Sequence, residues 1–430
     1  MTSTAKSVSF HIIGDAFVDF LCFLQDSLPE SGGDALLTSS VQQAPGGSAS
    51  NSATHLSSLL RSSRVDITTT TTTTTNENEM TSVRFYTAIN PQDESGRLLL
   101  RHAEQSGFPL INCVPKDDGG SLCRAATGQC VVMVTGNERS FMTHQGCMDD
   151  FHATALPLDR MVGTKPSKEP IHVHVSGYFN IPGFWDGALL ERLQQLRRER
   201  QESTTMAGGP TTILSLVPQF DASGQWDHGL LDLLSVLDLL IVNDLEAARI
   251  AGLELPNEQD QNDHVEMDSS TNVLPNSGVV TTETTADSDS SGFLSRAAVF
   301  FHEKSPRLSV VVTLGKDGAA VLRDGRVLVR QRATVVTPVD PTGAGDAFVA
   351  GFLYGLWNNQ PSNNNSNDDS SPTSKLFDVQ ERFSLESIRH GLLFGCAVAT
   401  SSVLVRGASV SSPRELIDQM VEKTKAAGSL

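Results

Sequence analysis

Short apolar runs alternate along this chain with stretches of helical period. Continuous runs at residues 7–13, 83–89, 130–135, 171–175, 212–216, 239–242 and 309–313 predict strands buried on both faces. A further run at 334–339 predicts another strand. Helices are expected at 49–60, 97–105, 187–201, 245–251, 294–302 and 346–356. This alternation argues for a mainly parallel sheet covered by helices on both faces, an α/β sandwich of three layers. Ligands of such folds bind beyond the carboxyl ends of the strands, where Gly14, Asn243, Gly315 and Gly343 all fall.

Two segments, 20–44 and 125–151, break the rhythm with extended pieces and turns and no helix between them. Three tracts, 68–79, 257–292 and 358–374, are rich in Thr, Asn, Ser or Asp and too poor in apolar residues to repay ordering. They read as solvated insertions in one unit running from about residue 7 to 425.

Charge changes the picture little. The formal charge of −18 includes twelve acidic residues in or beside those tracts, and setting them aside leaves −6. No basic stripe is present, so nucleic acid is not an expected partner. The six cysteines show no Cys-x-x-Cys spacing and read as reduced thiols. His172 and His174 alternate on one strand face, yet no nearby third ligand completes a metal set. No apolar run reaches membrane-spanning length, and the residues before the first strand are too few for a signal peptide. A cytoplasmic location is the expectation.

The most informative stretch is Asp340-Pro-Thr-Gly-Ala-Gly-Asp346 followed by an apolar helix. Its glycines sit at a helix N-terminus, where unpaired amides and the helix dipole favour an anion. Asp346 falls in the first turn, beside that anion pocket. Such a pairing suits phosphoryl transfer: amides hold the moving phosphate and the carboxylate takes the acceptor hydroxyl's proton. Read alone, Asp346 could equally cap its helix. A dinucleotide fingerprint would need glycine at Phe348, and no Gly-Lys-Ser/Thr of a P-loop occurs.

This stretch resembles the C-terminal signature of the ribokinase/PfkB sugar kinase family. Gly46-Gly47-Ser-Ala-Ser-Asn51-Ser-Ala is similar to its N-terminal signature. Between them, Asn243-Asp-Leu-Glu246 resembles the family's Asn-x-x-Glu, and Thr313-Leu-Gly315-Lys-Asp-Gly318 a further motif. Four motifs in the right order cover most of the chain. The resemblance implies a ribokinase-like fold in which 20–44 and 125–151 form a small β-sheet lid, with a homodimer through that lid.

It also implies site roles. Asp346 is the base, with the amides of Gly343, Ala344 and Gly345 as the anion hole. Asp19, Gly46, Gly47 and Asn51 hold a small sugar. Asn243, Thr313, Gly315 and Cys396 hold ATP, and Glu246 orders water around Mg²⁺. Asp340, Thr342 and Gly407 match positions that bind K⁺ in many relatives. Bacterial ribokinases carry Lys after the double glycine where this chain has Ser48, and the stretch is closer to the Gly-Gly-Asn-Ala-Ser-Asn-Ser type of ketohexokinases. The acceptor is therefore open among ribose-like and fructose-like sugars. A nucleoside kinase of the same fold is an alternative. So is a non-catalytic kinase-fold binding protein, which retention of Asp346, the signature glycines and Glu246 argues against.

Overall fold

The computed structural model describes residues 8–68, 82–114, 125–135, 138–162, 169–202, 212–255, 286–358 and 383–428. The expected buried runs other than 130–135, which forms a half-buried strand of a second sheet, pair into one nine-stranded sheet with the order β13-β12-β11-β10-β9-β8-β1-β4-β5. Its strands are β1 (Ser9–Gly14), β4 (Ser82–Thr87), β5 (Leu110–Asn112), β8 (Ile171–Ser176), β9 (Thr212–Val217), β10 (Leu239–Asn243), β11 (Ser309–Thr313), β12 (Ala319–Arg323) and β13 (Arg326–Gln331). The pairings from β5 to β11 are parallel, and β12 and β13 add an antiparallel edge. A separate sheet, ordered β3-β2-β6-β7, is built from β2 (Phe17–Phe23), β3 (Gln42–Gly46), β6 (Gln129–Thr135) and β7 (Glu138–His144) and forms the small lid.

Side chains alternate between two cores because successive strand residues face opposite ways. On β1, Phe10 and Ile12 enter one core and Ile13 the other. The first core is closed by α1 (Ser48–Thr68), α2 (Glu94–Gln105), α8 (Ala344–Asn358), α9 (Leu385–Ser402) and α10 (Arg414–Ala427). The second is closed by α3 (Leu158–Val162), α4 (Ala188–Glu202), α5 (Leu230–Leu233), α6 (Asp244–Ala251) and α7 (Ala286–Lys304). Strand order reverses between β1 and β8, so the crevice at their carboxyl ends is the fold's switch point.

The expected strand at 334–339 does not form. The chain there runs without a strand partner beyond β13, with Val335 and Val339 exposed, and it anchors instead through the Val339 amide on the Val403 carbonyl at 2.7 Å. Pro338 also lacks the N–H a ladder would need. The inserted tracts 68–79, 257–292 and 358–374 lie outside the described residues except at their ends. There Thr68 closes α1, 286–292 open α7 and Asn358 closes α8. The expected turn at Gly136-Asn137 and Cys123 also lie outside them. No helix of the described residues is long and apolar enough to cross a membrane.

His172 and His174 are engaged by hydroxyl and indole partners, and no cluster of three or more His, Cys, Asp or Glu side chains lies around them among the described residues. Both rings bond to Ser215 Oγ, at 2.7 and 2.8 Å, and Trp357 Nε1 donates to His172 Nδ1 at 2.8 Å. Burial drives both rings down to the neutral form.

Helices α8 and α9 approach closely. A Cβ added at Gly351 would lie 2.5 Å from the Phe394 carbonyl and 2.9 Å from Val398. A helix-interior alanine gains about 1 kcal/mol of propensity over glycine, whereas overpacking against fixed backbone costs about 1–3 kcal/mol. Gly351→Ala is therefore expected to lower the urea midpoint, and a raised midpoint would show that α8 and α9 can separate freely.

Candidate active site

Helix α8 opens beside the switch-point crevice, and Asp346 lies in its first turn. Its carboxylate is buried and faces α1. Ser48 Oγ donates to Oδ1 at 2.7 Å and Asn51 Nδ2 to Oδ2 at 2.9 Å. Asn51 is in turn fixed by Ser409 Oγ, which bonds both its Oδ1 and the Pro45 carbonyl. Burial pushes the Asp346 carboxyl up to about 7 against those two hydrogen bonds, and the charges of Asp15 and Asp19 add to the rise.

Asp15 and Asp19 approach from the end of β1 and from β2. Asp15 accepts from the Ala49 amide at 3.0 Å and from Asn180 Nδ2 at 2.7 Å, and burial raises it to about 6. Asp19 is raised to about 7 by burial and by Asp15. Its carboxylate fills the space over Gly46, where an added Cβ would lie 2.3 Å from Oδ1. Three carboxylates with raised affinity for protons thus gather at the point where the two signature motifs meet. Carboxylates spaced this way can accept several hydroxyl donors at once.

On the other side of the α8 N-terminus lies a cavity of about 310 Å³. Thr313, Gly315, Gly345, Phe348, Cys396 and Thr400 are among its walls, so three of the residues expected at a nucleotide line one cleft. Lys316 and the 334–338 segment line it as well. Cys396 is buried, and burial pushes its thiol up to about 12, so it acts there as an apolar wall.

Asn243 ends β10 and caps α6: its Oδ1 accepts from the Glu246 amide at 2.8 Å, while Glu246 Oε2 accepts from the Asn243 amide at 3.0 Å. This reciprocal capping box fixes both side chains. Burial raises the Glu246 carboxyl to about 7, opposed by the Asn243 bond.

Asp340 gathers the remaining residues. It accepts from the Thr342 and Gly407 amides, both at 3.0 Å, and Arg139 of the lid lies 3.4 Å away. Burial works against its ionisation, but these hydrogen bonds and Arg139 hold its carboxyl below the usual range. Arg139 therefore ties β7 of the lid to the turn that precedes α8.

Asp15, Asn180, Gln219 and Arg139 are at the site without having been singled out from the sequence. Asp15 could have been found, because it adjoins the turn glycine after the first strand. The other three lie in no motif, and only the folded chain brings them in.

The glycines of the α8 turn differ in what they permit. Gly343 has φ +76 and a Cβ there would lie 2.8 Å from the Ala408 Cβ, whereas one at Gly345 would meet nothing within 4 Å. Gly343→Ala is expected to cost about 1–3 kcal/mol and Gly345→Ala to be neutral or stabilising by up to about 1 kcal/mol, read by urea denaturation. Equal effects would contradict this geometry.

Comparison with known proteins bears on the fold and the family. The model of the pfkB family carbohydrate kinases matches residues 10–283 and 294–415. A stretch of 47 residues, 11% of this chain, is 49% identical to fructoselysine 6-kinase of Escherichia coli (strain K12), and the match spans only 18% of that protein. Ribokinase from Giardia lamblia superimposes with a TM-score of 0.64 at 18% identity, over 96% of this chain and 99% of that one. A fructokinase variant from Vibrio cholerae O395, solved with fructose, ADP and potassium ion, gives 0.58 at 15% identity over 97% and 100%. At such identities the two structures speak for the fold. The family match, extending over most of the chain and both signature motifs, makes this protein a member of the pfkB family of carbohydrate kinases.

Proposed function

We propose that the protein transfers the terminal phosphoryl group of ATP to the hydroxymethyl group of a small sugar of the ribose or fructose class. The observation that carries this reading is the position of Asp346. It stands in the first turn of an amide-rich helix end, with the cavity on one side and Asp15 and Asp19 on the other. The cavity is of a size with small-molecule sites, and the fructokinase of this fold binds ADP.

In this reading Asp19 and Asn51 orient the sugar, and Asp346 takes the proton of its primary hydroxyl as the oxygen attacks phosphorus. The amides of Gly343, Ala344 and Gly345 receive the growing charge on the transferring group. Glu246 suits Mg²⁺ held through water, because one carboxylate oxygen is fixed by Asn243 and the other is left for a water ligand. Bound there, Mg²⁺ would neutralise phosphate charge. Asp340, Thr342 and Gly407 form one contact that would hold K⁺ beside Arg139.

Asp346→Asn should cut turnover by at least about a hundredfold with ATP affinity retained, measured on a panel of ribose, fructose, inositol, adenosine and inosine. Near-normal turnover would end this assignment. A preference for adenosine or inosine would move the acceptor to the nucleosides.

The pH profile follows from the same residue. The base works as the carboxylate, and its affinity for protons is raised to about 7. kcat/KM should therefore fall about tenfold per pH unit below that value. A profile flat down to pH 5 would place the essential base elsewhere.

A further inference from the structure

Ser48 Oγ sits at the centre of three short contacts: Asp346 Oδ1 at 2.7 Å, Ser176 Oγ at 2.6 Å and Gln219 Nε2 at 2.7 Å. A hydroxyl has one proton and two lone pairs, a carboxylate only accepts, and an amide NH₂ only donates. The accounting has one solution with Asp346 ionised. Ser48 gives its proton to Asp346, accepts from Gln219, and accepts from Ser176 with its remaining lone pair. With the Gln219 amide reversed, its oxygen would face a hydroxyl that has no proton left to give.

The backbone around Gln219 is specialised for this aim. Gln219 has φ +66, and Trp226 (+58), His228 (+49) and Asp186 (+51) join it among the described non-glycine residues with left-handed backbone. Side chains of this kind hold such conformations only where their surroundings fix them. Here the Asp221 carboxylate accepts from the Trp226 amide at 2.6 Å and the Ser223 amide at 2.8 Å. His228 stacks on Trp185 with ring centroids 3.9 Å apart, and the Asp186 amide bonds the His228 carbonyl at 3.0 Å. The loop after β9 is thus held, and Gln219 points from its start to Ser48.

We propose that Gln219 is a positioning residue: its amide, aimed by this loop, fixes Ser48 as a one-way proton donor to the Asp346 carboxylate. The proposal rests on the reading of Asp346 as the base. This chain holds its base with a directed hydroxyl backed by Gln219 and Ser176. The other charged groups that face Asp346 are Asp15 and Asp19, and neither touches Gln219.

The test uses the full chain labelled with ¹³C in its aspartate carboxyls, the Asp346 signal being identified by its loss in Asp346→Asn. Gln219→Gly deletes the amide and suits the left-handed backbone, so it should fold with at least wild-type Tm. Gln219→Glu keeps the size but can only accept, which turns the Ser48 proton away from Asp346. With Ser48 turned away in Gln219→Glu, and no longer committed in Gln219→Gly, that hydrogen bond is lost or weakened and the Asp346 titration midpoint should move up, by about one pH unit. With a working acceptor, kcat should fall about tenfold in step, with KM for ATP within about twofold of wild type. The new carboxylate of Gln219→Glu raises the midpoint by charge alone, so Gln219→Gly decides. An unchanged midpoint in Gln219→Gly overturns the proposal whatever its turnover. If no acceptor is phosphorylated, the kinase reading fails separately, and the titration still decides the Gln219–Ser48–Asp346 relation.

Discussion

A carboxylate buried at a helix N-terminus is the constraint on which the rest of this site depends. Ionised Asp346 gains from the dipole and amides of α8, yet burial leaves its carboxyl near 7 rather than near 4. The protein tolerates that cost because Ser48 and Asn51, both on α1, donate to its two oxygens. The same bonds therefore join the N-terminal and C-terminal signature motifs, almost three hundred residues apart in sequence. Asn51 links onward through Ser409 to Pro45, and Asp340 through Gly407, so the loop after α9 closes the arrangement.

That bond set also explains why chemistry would fall at this point of the sheet. Strand order reverses between β1 and β8, and Asp15, Ser176 and the loop after β9 meet at their carboxyl ends. Groups held by rigid strand ends need little reorganisation when charge develops. The lid contributes Asp19 from β2 and Arg139 from β7. Movement of the lid would then alter the acceptor side and the anion-hole turn together.

Much of this was legible in the sequence for physical reasons. Parallel strands buried on both faces must be apolar throughout, so Val310, Val311 and Val312 announce β11 without any knowledge of its neighbours. Glycine signatures are legible because backbone constraints allow little else at positions such as Gly343. The apolar run at 334–339 misled because its valines face a cleft and solvent, and a strand needs a partner as well as a pattern. The hairpin of β12 and β13 and the helices α9 and α10 went unread, since their burial depends on packing that no local period encodes. Asp15, beside the Gly14 turn, was not singled out. Gln219 carried no signal at all: its role follows from a left-handed backbone and a contact to Ser48 171 positions away.

The central claim is that Asp346 is the group that meets the reacting hydroxyl, between acceptor and nucleotide. A crystal structure with a non-hydrolysable ATP analogue and an accepted sugar tests it most directly. The account predicts the sugar's primary hydroxyl within about 3.2 Å of an Asp346 oxygen, with the terminal phosphate against the amides of Gly343, Ala344 and Gly345. A nucleotide seated away from the cavity at Gly315 and Cys396, or a sugar hydroxyl directed at another residue, would contradict it.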